Sequence, residues 1–190
     1  MDGVKVGFAM CGSFCTFAKA LEQIENLVKM NFEVIPIMSE NAYSTDTRFG
    51  DAADFRGRIE TMCGKKIITG ITEAEPIGPK KLLDILLIEP CTGNTLGKLA
   101  NGITDTTVTL AAKAHLRNGR PLLIAVSTND ALGAAAKNIG QLMNYKNVFF
   151  VPMRQDDYVK KPNSIVADFS LTSNAIEATL KGQQLQPILL

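Results

Sequence analysis

The chain has 190 residues, enough for one domain with a full hydrophobic core and too few for two comfortable ones. Its 20 Lys and Arg residues nearly cancel its 19 Asp and Glu residues, so no strong field is available to gather nucleic acid or an anionic membrane surface. No run approaches the ~20 apolar residues of a membrane helix, and the opening MDGVKVGFAM lacks a basic region and a cleavage site, so a cytoplasmic protein with a small-molecule or protein partner is expected.

In chain order, VKVGFAM (4–10) reads as a strand, FAKALEQIENLVKM (17–30) as a helix with Ala18, Leu21, Ile24, Leu27 and Val28 on one face, and FEVIPIM (32–38) as a second strand. Residues 46–63 suggest a charged helix with Arg56 and Arg58 on its wet side. KKIITG (65–70) reads as a short strand and DILLIEP (84–90) as a buried one. Residues 94–118 form one broken helix or two, with His115 expected on a helix surface or at an interface. PLLIAVS (121–127) is another buried strand, ALGAAAKNIGQLMN (131–144) a helix, and NVFFVPM (147–153) a last strand. Apolar strands without polar alternation, separated by helices, imply an α/β fold: a doubly wound, Rossmann-like parallel sheet with helices on both faces. Residues 1–190 are expected to form one domain, with 153–190 a C-terminal segment that closes the pocket.

Ligands of such sheets bind beyond the carboxyl ends of the strands. CGSFCT (11–16), SENA (39–42), EPCTGN (89–94) and STND (127–130) all fall there. Their small and hydroxyl residues let backbone N–H groups approach an anion, which points to a phosphorylated cofactor. No G-x-G-x-x-G follows the first strand, and GNTLGKL has its glycines one residue too close for a P-loop, with Leu99 where a hydroxyl must reach magnesium. A cofactor with a single phosphate, such as FMN, suits the short loops. Cys11, Cys15, Cys63 and Cys91 offer one C-x3-C spacing beside a single histidine, which supports free buried thiols over a metal site.

EPCTGNTLGKLANGITDT (89–106) resembles the signature of the FMN-binding flavoprotein family that includes phosphopantothenoylcysteine decarboxylase, the lantibiotic cysteine decarboxylases and the flavin prenyltransferases. CGS is similar to that family's first phosphate-side loop, Ser39 to its hydroxyl after the second strand, and STNDALGAAAKNIGQL (127–142) to its loop and helix after the fifth. The resemblance implies FMN bound by Cys11, Gly12, Ser13, Ser39, Cys91, Thr92, Gly93, Asn94, Ser127 and Thr128, with Asn94, also a catalytic candidate, both capping its helix and facing ring or substrate. It also implies a homo-oligomer, a trimer or a dodecamer. The histidine and the Pro-x-Met-Asn-x-x-Met-Trp motif of the decarboxylases are missing: the chain has no Trp, and VPMRQDDY stands in the motif's place. Thr128 replaces the prenyltransferases' phosphate-binding Arg, and Ser173 or Asn174 their later basic partner, although Tyr158 is similar in position to their tyrosine. The late stretch 158–189 resembles one branch of the family, which implies an oxidoreductase subunit of a sporulating bacterium. A small dicarboxylate is then the substrate, and a companion polypeptide carries the NAD(P) fold.

Single residues keep two readings each. Glu89 is a catalytic candidate as a proton acceptor at a strand end, or a capping carboxylate. Cys91 is reactive or, on balance, packing. Arg154, Tyr158, Lys160 and Lys161 are either partners for two substrate carboxylates or a solvated loop.

Overall fold

The computed structural model describes residues 3–190. Apolar residues on both faces drive the central strands inside: all seven residues of one strand, Ile85–Cys91, are buried, as are the first six of another, Leu122–Thr128. In chain order the elements are β1 (Lys5–Met10), α1 (Phe17–Lys29), β2 (Glu33–Met38), α2 (Glu40–Ser44), α3 (Ala52–Cys63), α4 (Ile71–Ala74), β3 (Ile85–Cys91), α5 (Gly93–Ala100), α6 (Thr107–Leu116), β4 (Leu122–Thr128), α7 (Ala136–Met143), β5 (Val148–Phe150), β6 (Met153–Arg154), β7 (Ile165–Ala167) and α8 (Thr172–Leu180). The sheet order is β2-β1-β3-β4-β7-β6, with β5 also paired to β4. Pairings among β1 to β5 are parallel, whereas β7 runs antiparallel to β4 and β6. This is the expected doubly wound, mostly parallel sheet flanked by helices, with an antiparallel C-terminal addition.

β4 is shared along one edge. Its first half, Leu122–Ile124, pairs with β5, and its last residues, Ser127 and Thr128, pair with β7. The expected last strand at 147–153 therefore breaks. Pro152 has no N–H to continue a ladder, and the chain crosses to a separate strand whose outer edge is covered by the C-terminal tail: Met153 N donates to Ile188 O (2.9 Å) and Leu190 N to Met153 O (3.0 Å). Gln184 closes the edge of β5 in the same way, its side chain bonding both the N–H and the C=O of Phe150.

Other expectations are corrected locally. KKIITG forms no strand, only a parallel bridge of Ile68 to Ile37, because its lysines stay at the surface and Gly70 already begins α4. The helix expected from 46 starts at Ala52, after a turn pinned by Asp46 Oδ1, which accepts from Ala52 N. Residues 94–118 resolve into two helices, α5 ending where Gly102 takes φ 69°, and α6 capped by Thr106. The buried face of α1 is Phe17, Ala20, Leu21, Ile24 and Leu27; the expected Leu21, Ile24 and Leu27 lie on it, Val28 is half-buried at its edge, and only Ala18 is exposed. Arg56 is not fully on the wet side, since it lies over the Tyr43 ring and donates to Tyr43 O. His115 is buried, its Nε2 donating to Pro121 O at 3.0 Å, and burial pushes it down to about 4.

Candidate functional site

The polar residues collect at the carboxyl ends of β1, β3 and β4. Parallel strands bring the loops that follow β1 and β4 together, so Ser13 Oγ lies 2.8 Å from Ser127 Oγ. Thr16 opens the way into α1; its hydroxyl donates to Ser13 O (2.8 Å) and lies 3.4 Å from Ser127 Oγ. Thr92 caps α5, its side chain accepting from Thr95 N. Gly93 packs against the end of β4 so closely that a Cβ there would stand 2.9 Å from Thr128 Oγ1. Ser13, Thr16, Thr92, Ser127 and Thr128 frame a cleft of about 430 Å³ that also includes Gly12, Cys15, Lys19, Asn129, Asp130, Asp156 and Lys161, with Gly93 just behind its lining. A second depression of about 550 Å³ shares Lys19, Asp156 and Val166 with it and runs on to Glu22, Arg154, Asp168 and Phe169.

Of the expected cofactor residues, Gly12, Ser13, Thr92, Ser127 and Thr128 line this cleft. Ser39 sits beside it in the sheet, its N–H donating to Met10 O, but its hydroxyl caps α2 by accepting from Ala42 N at 3.3 Å. Glu40 then locks α2 onto α6, accepting from the N–H and hydroxyl of Thr107. Cys11 and Cys91 lie behind the lining as buried thiols. Burial pushes Cys11 up to about 11, although Thr95 Oγ1 donates to its sulfur, and raises Cys91 well above the usual range. Both are packing residues at cleft depth, with neither thiolate available as a nucleophile. Asn94 is exposed in the first turn of α5 and does not cap it, because Thr92 holds the extended conformation and the acceptor oxygen a cap requires.

Glu89 is withdrawn from the lining. It is fully buried on β3; Thr172 Oγ1 donates to its Oε2 at 2.7 Å, and its Oε1 has no partner. Burial pushes its carboxyl up to about 8 against the lowering effect of Thr172. Contact with a substrate is thereby excluded in this arrangement. The expected cationic cluster also divides. Arg154 pairs with Asp168 (3.3 Å) and Lys161 with Asp156 (3.2 Å), both at the cleft. Lys160 is exposed, and Tyr158, 72% exposed, projects outward at the loop tip; neither belongs to the lining.

Lys19 and Asp156 lie outside the loops that stand out in the sequence, whereas Thr16, Asn129 and Asp130 fall inside CGSFCT and STND without being marked there as individual site residues. Thr16 carries a detectable signal, standing three residues after Ser13 in the 3-10 turn that leads into α1, where such positions eclipse, and Lys19 lies three residues beyond Thr16. A flavin phosphate is compatible with this donor set: three clustered hydroxyls flanked by Lys19 and Lys161, beside a glycine whose missing Cβ leaves room for the Thr128 side chain.

Residues 1–173 match the Flavoprotein family, and the chain belongs to it. Within that class it is 49% identical, over 100% of its length and 94% of the relative's, to the B subunit of dipicolinate synthase from Bacillus subtilis (strain 168). The crystal structure of the dipicolinate synthase B subunit from Bacillus halodurans C superposes with a TM-score of 0.91 at 43% identity, covering 100% of this chain and 97% of that one. The FMN-dependent cysteine decarboxylase SpaF shares the fold, with a TM-score of 0.68 at 21% identity over 94% of this chain and 97% of its own.

Proposed function

We propose that this chain is the flavin-type component of a dipicolinate synthase, acting with the enzyme's A subunit in the oxidation of dihydrodipicolinate to dipicolinate during sporulation. The observation that carries the proposal is the full-length likeness to dipicolinate synthase B subunits, combined with a hydroxyl-lined cleft at the strand ends. The cofactor is FMN. Gly12, Ser13, Thr16, Ser127 and Thr128 hold its phosphate, and Thr92 and Gly93 let the backbone approach its ring. Bound there, the flavin would supply a two-electron acceptor. Asn94, exposed at the start of α5, orients substrate or ring. Arg154 and Lys161 bind the two substrate carboxylates by exchanging their present partners, Asp168 and Asp156, and Tyr158 and Lys160 extend that binding from the loop. The segment 153–190 closes the cleft, and a homo-oligomer completes it.

One observation favours a second reading, a flavin-holding accessory protein without chemistry of its own. Asp156 and Asp168 are held by ion pairs, Asp130 accepts from Ala134 N, and the buried Glu89 does not reach the cleft. Titration of the purified protein with FMN, FAD and NAD, followed by calorimetry and visible absorbance, tests the cofactor; tighter binding of NAD overturns the FMN assignment. Turnover measured with the A subunit alone and with both components separates enzyme from accessory.

A further inference from the structure

Among the described residues, Glu89 Oε1 is the one buried side-chain oxygen or nitrogen without a hydrogen-bond partner. A carboxyl at this depth is costly to charge, because one hydroxyl replaces a full hydration shell. That hydroxyl belongs to Thr172, the first residue of α8, which stands two residues after the stretch 166–170 that forms one wall of the larger depression. The Glu89–Thr172 contact therefore joins the central strand to the root of that wall. No charged group competes for it. Lys19 and Glu22 lie on the exposed side of α1, Asp168 is engaged with Arg154 and Ser170, and Glu177 lies off the buried face of α8. The buried residues of β1 and β4 around it are apolar, apart from the Ser127 hydroxyl.

We propose that Glu89 is a positioning residue for the cleft: buried and uncharged, it lets the 165–172 wall close over it through Thr172, and it loosens that wall as it ionises, because the closed wall keeps the charge from water at a cost that the single, strengthened Thr172 bond does not offset. This goes beyond the flavin reading and does not depend on which ligand the cleft takes. When the wall opens, water reaches Glu89 and its acidity returns toward that of an ordinary glutamate. The held state is thus fully favoured below about pH 4.5, loses up to about tenfold per pH unit as pH rises toward 8, and levels off above that.

Hydrogen exchange of the full chain, followed by mass spectrometry between pH 5.5 and 9 and corrected for intrinsic rates, tests this. Peptides from 165–180 should lose protection relative to those from α6 (107–116) as pH rises, with levelling near pH 8. Glu89→Gln should keep the low-pH protection throughout. Thr172→Val removes the donor that favours the carboxylate, so its levelling point should move to higher pH. The proposal is overturned if the two regions lose protection in parallel, if the wild-type profile is flat, or if Glu89→Gln copies the wild type. Should Glu89→Gln fail to fold, an unmoved levelling point in Thr172→Val overturns it equally.

Discussion

The two ends of the same sheet treat polar groups in opposite ways. At the amino end the chain satisfies itself: Lys5 N donates to Asp84 Oδ2 (2.9 Å), Asp84 N to Lys5 O (2.8 Å), Arg120 reaches Leu83 O and Asp84, His115 donates to Pro121 O, and Asn118 to Gly78 O. At the carboxyl end Ser13, Thr16 and Ser127 chiefly contact one another and border an open cleft. A polar group bound to its own backbone stabilises the fold, whereas a hydroxyl left facing a cavity has bonding capacity for a ligand. Substitutions at the amino end should therefore change stability, and those at the carboxyl end should change binding.

The largest effect is expected at the amino end, from His115. Its folded-state value of about 4 lies below the ordinary 6.5, so folding excludes a proton. The stability this residue permits is fully present above about pH 6.5 and is lost as pH falls toward 4, by a total of about 3 kcal/mol. Urea unfolding across that window should show the decline, and His115→Gln should flatten it. An equally steep decline in the variant would assign the acid sensitivity to other groups.

At the carboxyl end Gly93→Ala should cost about 1–3 kcal/mol in stability, since the added Cβ meets Thr128 Oγ1 at 2.9 Å and the stiff, β-branched Thr128 must give way. It should also weaken FMN. Thermal unfolding with and without FMN separates the two; unchanged stability would show that the contact relaxes freely. Ser127→Ala sharpens the comparison further. It should leave stability within about 1 kcal/mol while weakening FMN by about 1.5–3 kcal/mol if the hydroxyl bonds a charged phosphate. A loss of stability with unchanged affinity would make this end structural as well.

The division between the two ends was legible in the sequence only from one side. CGS, CTGN and STND stood out because small and hydroxyl residues after apolar strands are conspicuous, and the mostly parallel sheet follows from the apolar runs that open β3 (85–88) and β4 (122–126). The satisfied end was not legible. Asp84, His115 and Arg120 look like ordinary surface or helix residues until β1 and β3 lie side by side. The C-terminal addition was hidden for a related reason, as β6 and β7 have only two and three residues and carry no measurable alternation. Glu89 was noticed as an acid at a strand end, but its burial depends on α8, whose place on the sheet is a tertiary fact.

Arg154 is expected to give the smallest effect on stability. Its guanidinium meets Asp168 at 3.3 Å with the arginine side chain 59% exposed, and an ion pair so open to solvent contributes between nothing and about 1 kcal/mol. Arg154→Ala should therefore barely move the unfolding midpoint. Asp168 loses nothing essential, because its Oδ1 still accepts from the N–H and hydroxyl of Ser170. If Arg154 instead serves a substrate carboxylate, the same variant should raise KM for dihydrodipicolinate in the two-component enzyme more than it lowers kcat, as loss of uniform binding does. Arg154→Lys should recover only part of that affinity, since an ammonium cannot make the paired, planar contact of a guanidinium. A variant that loses stability but keeps its KM would place Arg154 among the self-satisfying contacts of the fold, and the cationic side of the site would then fall to Lys161 and Lys19.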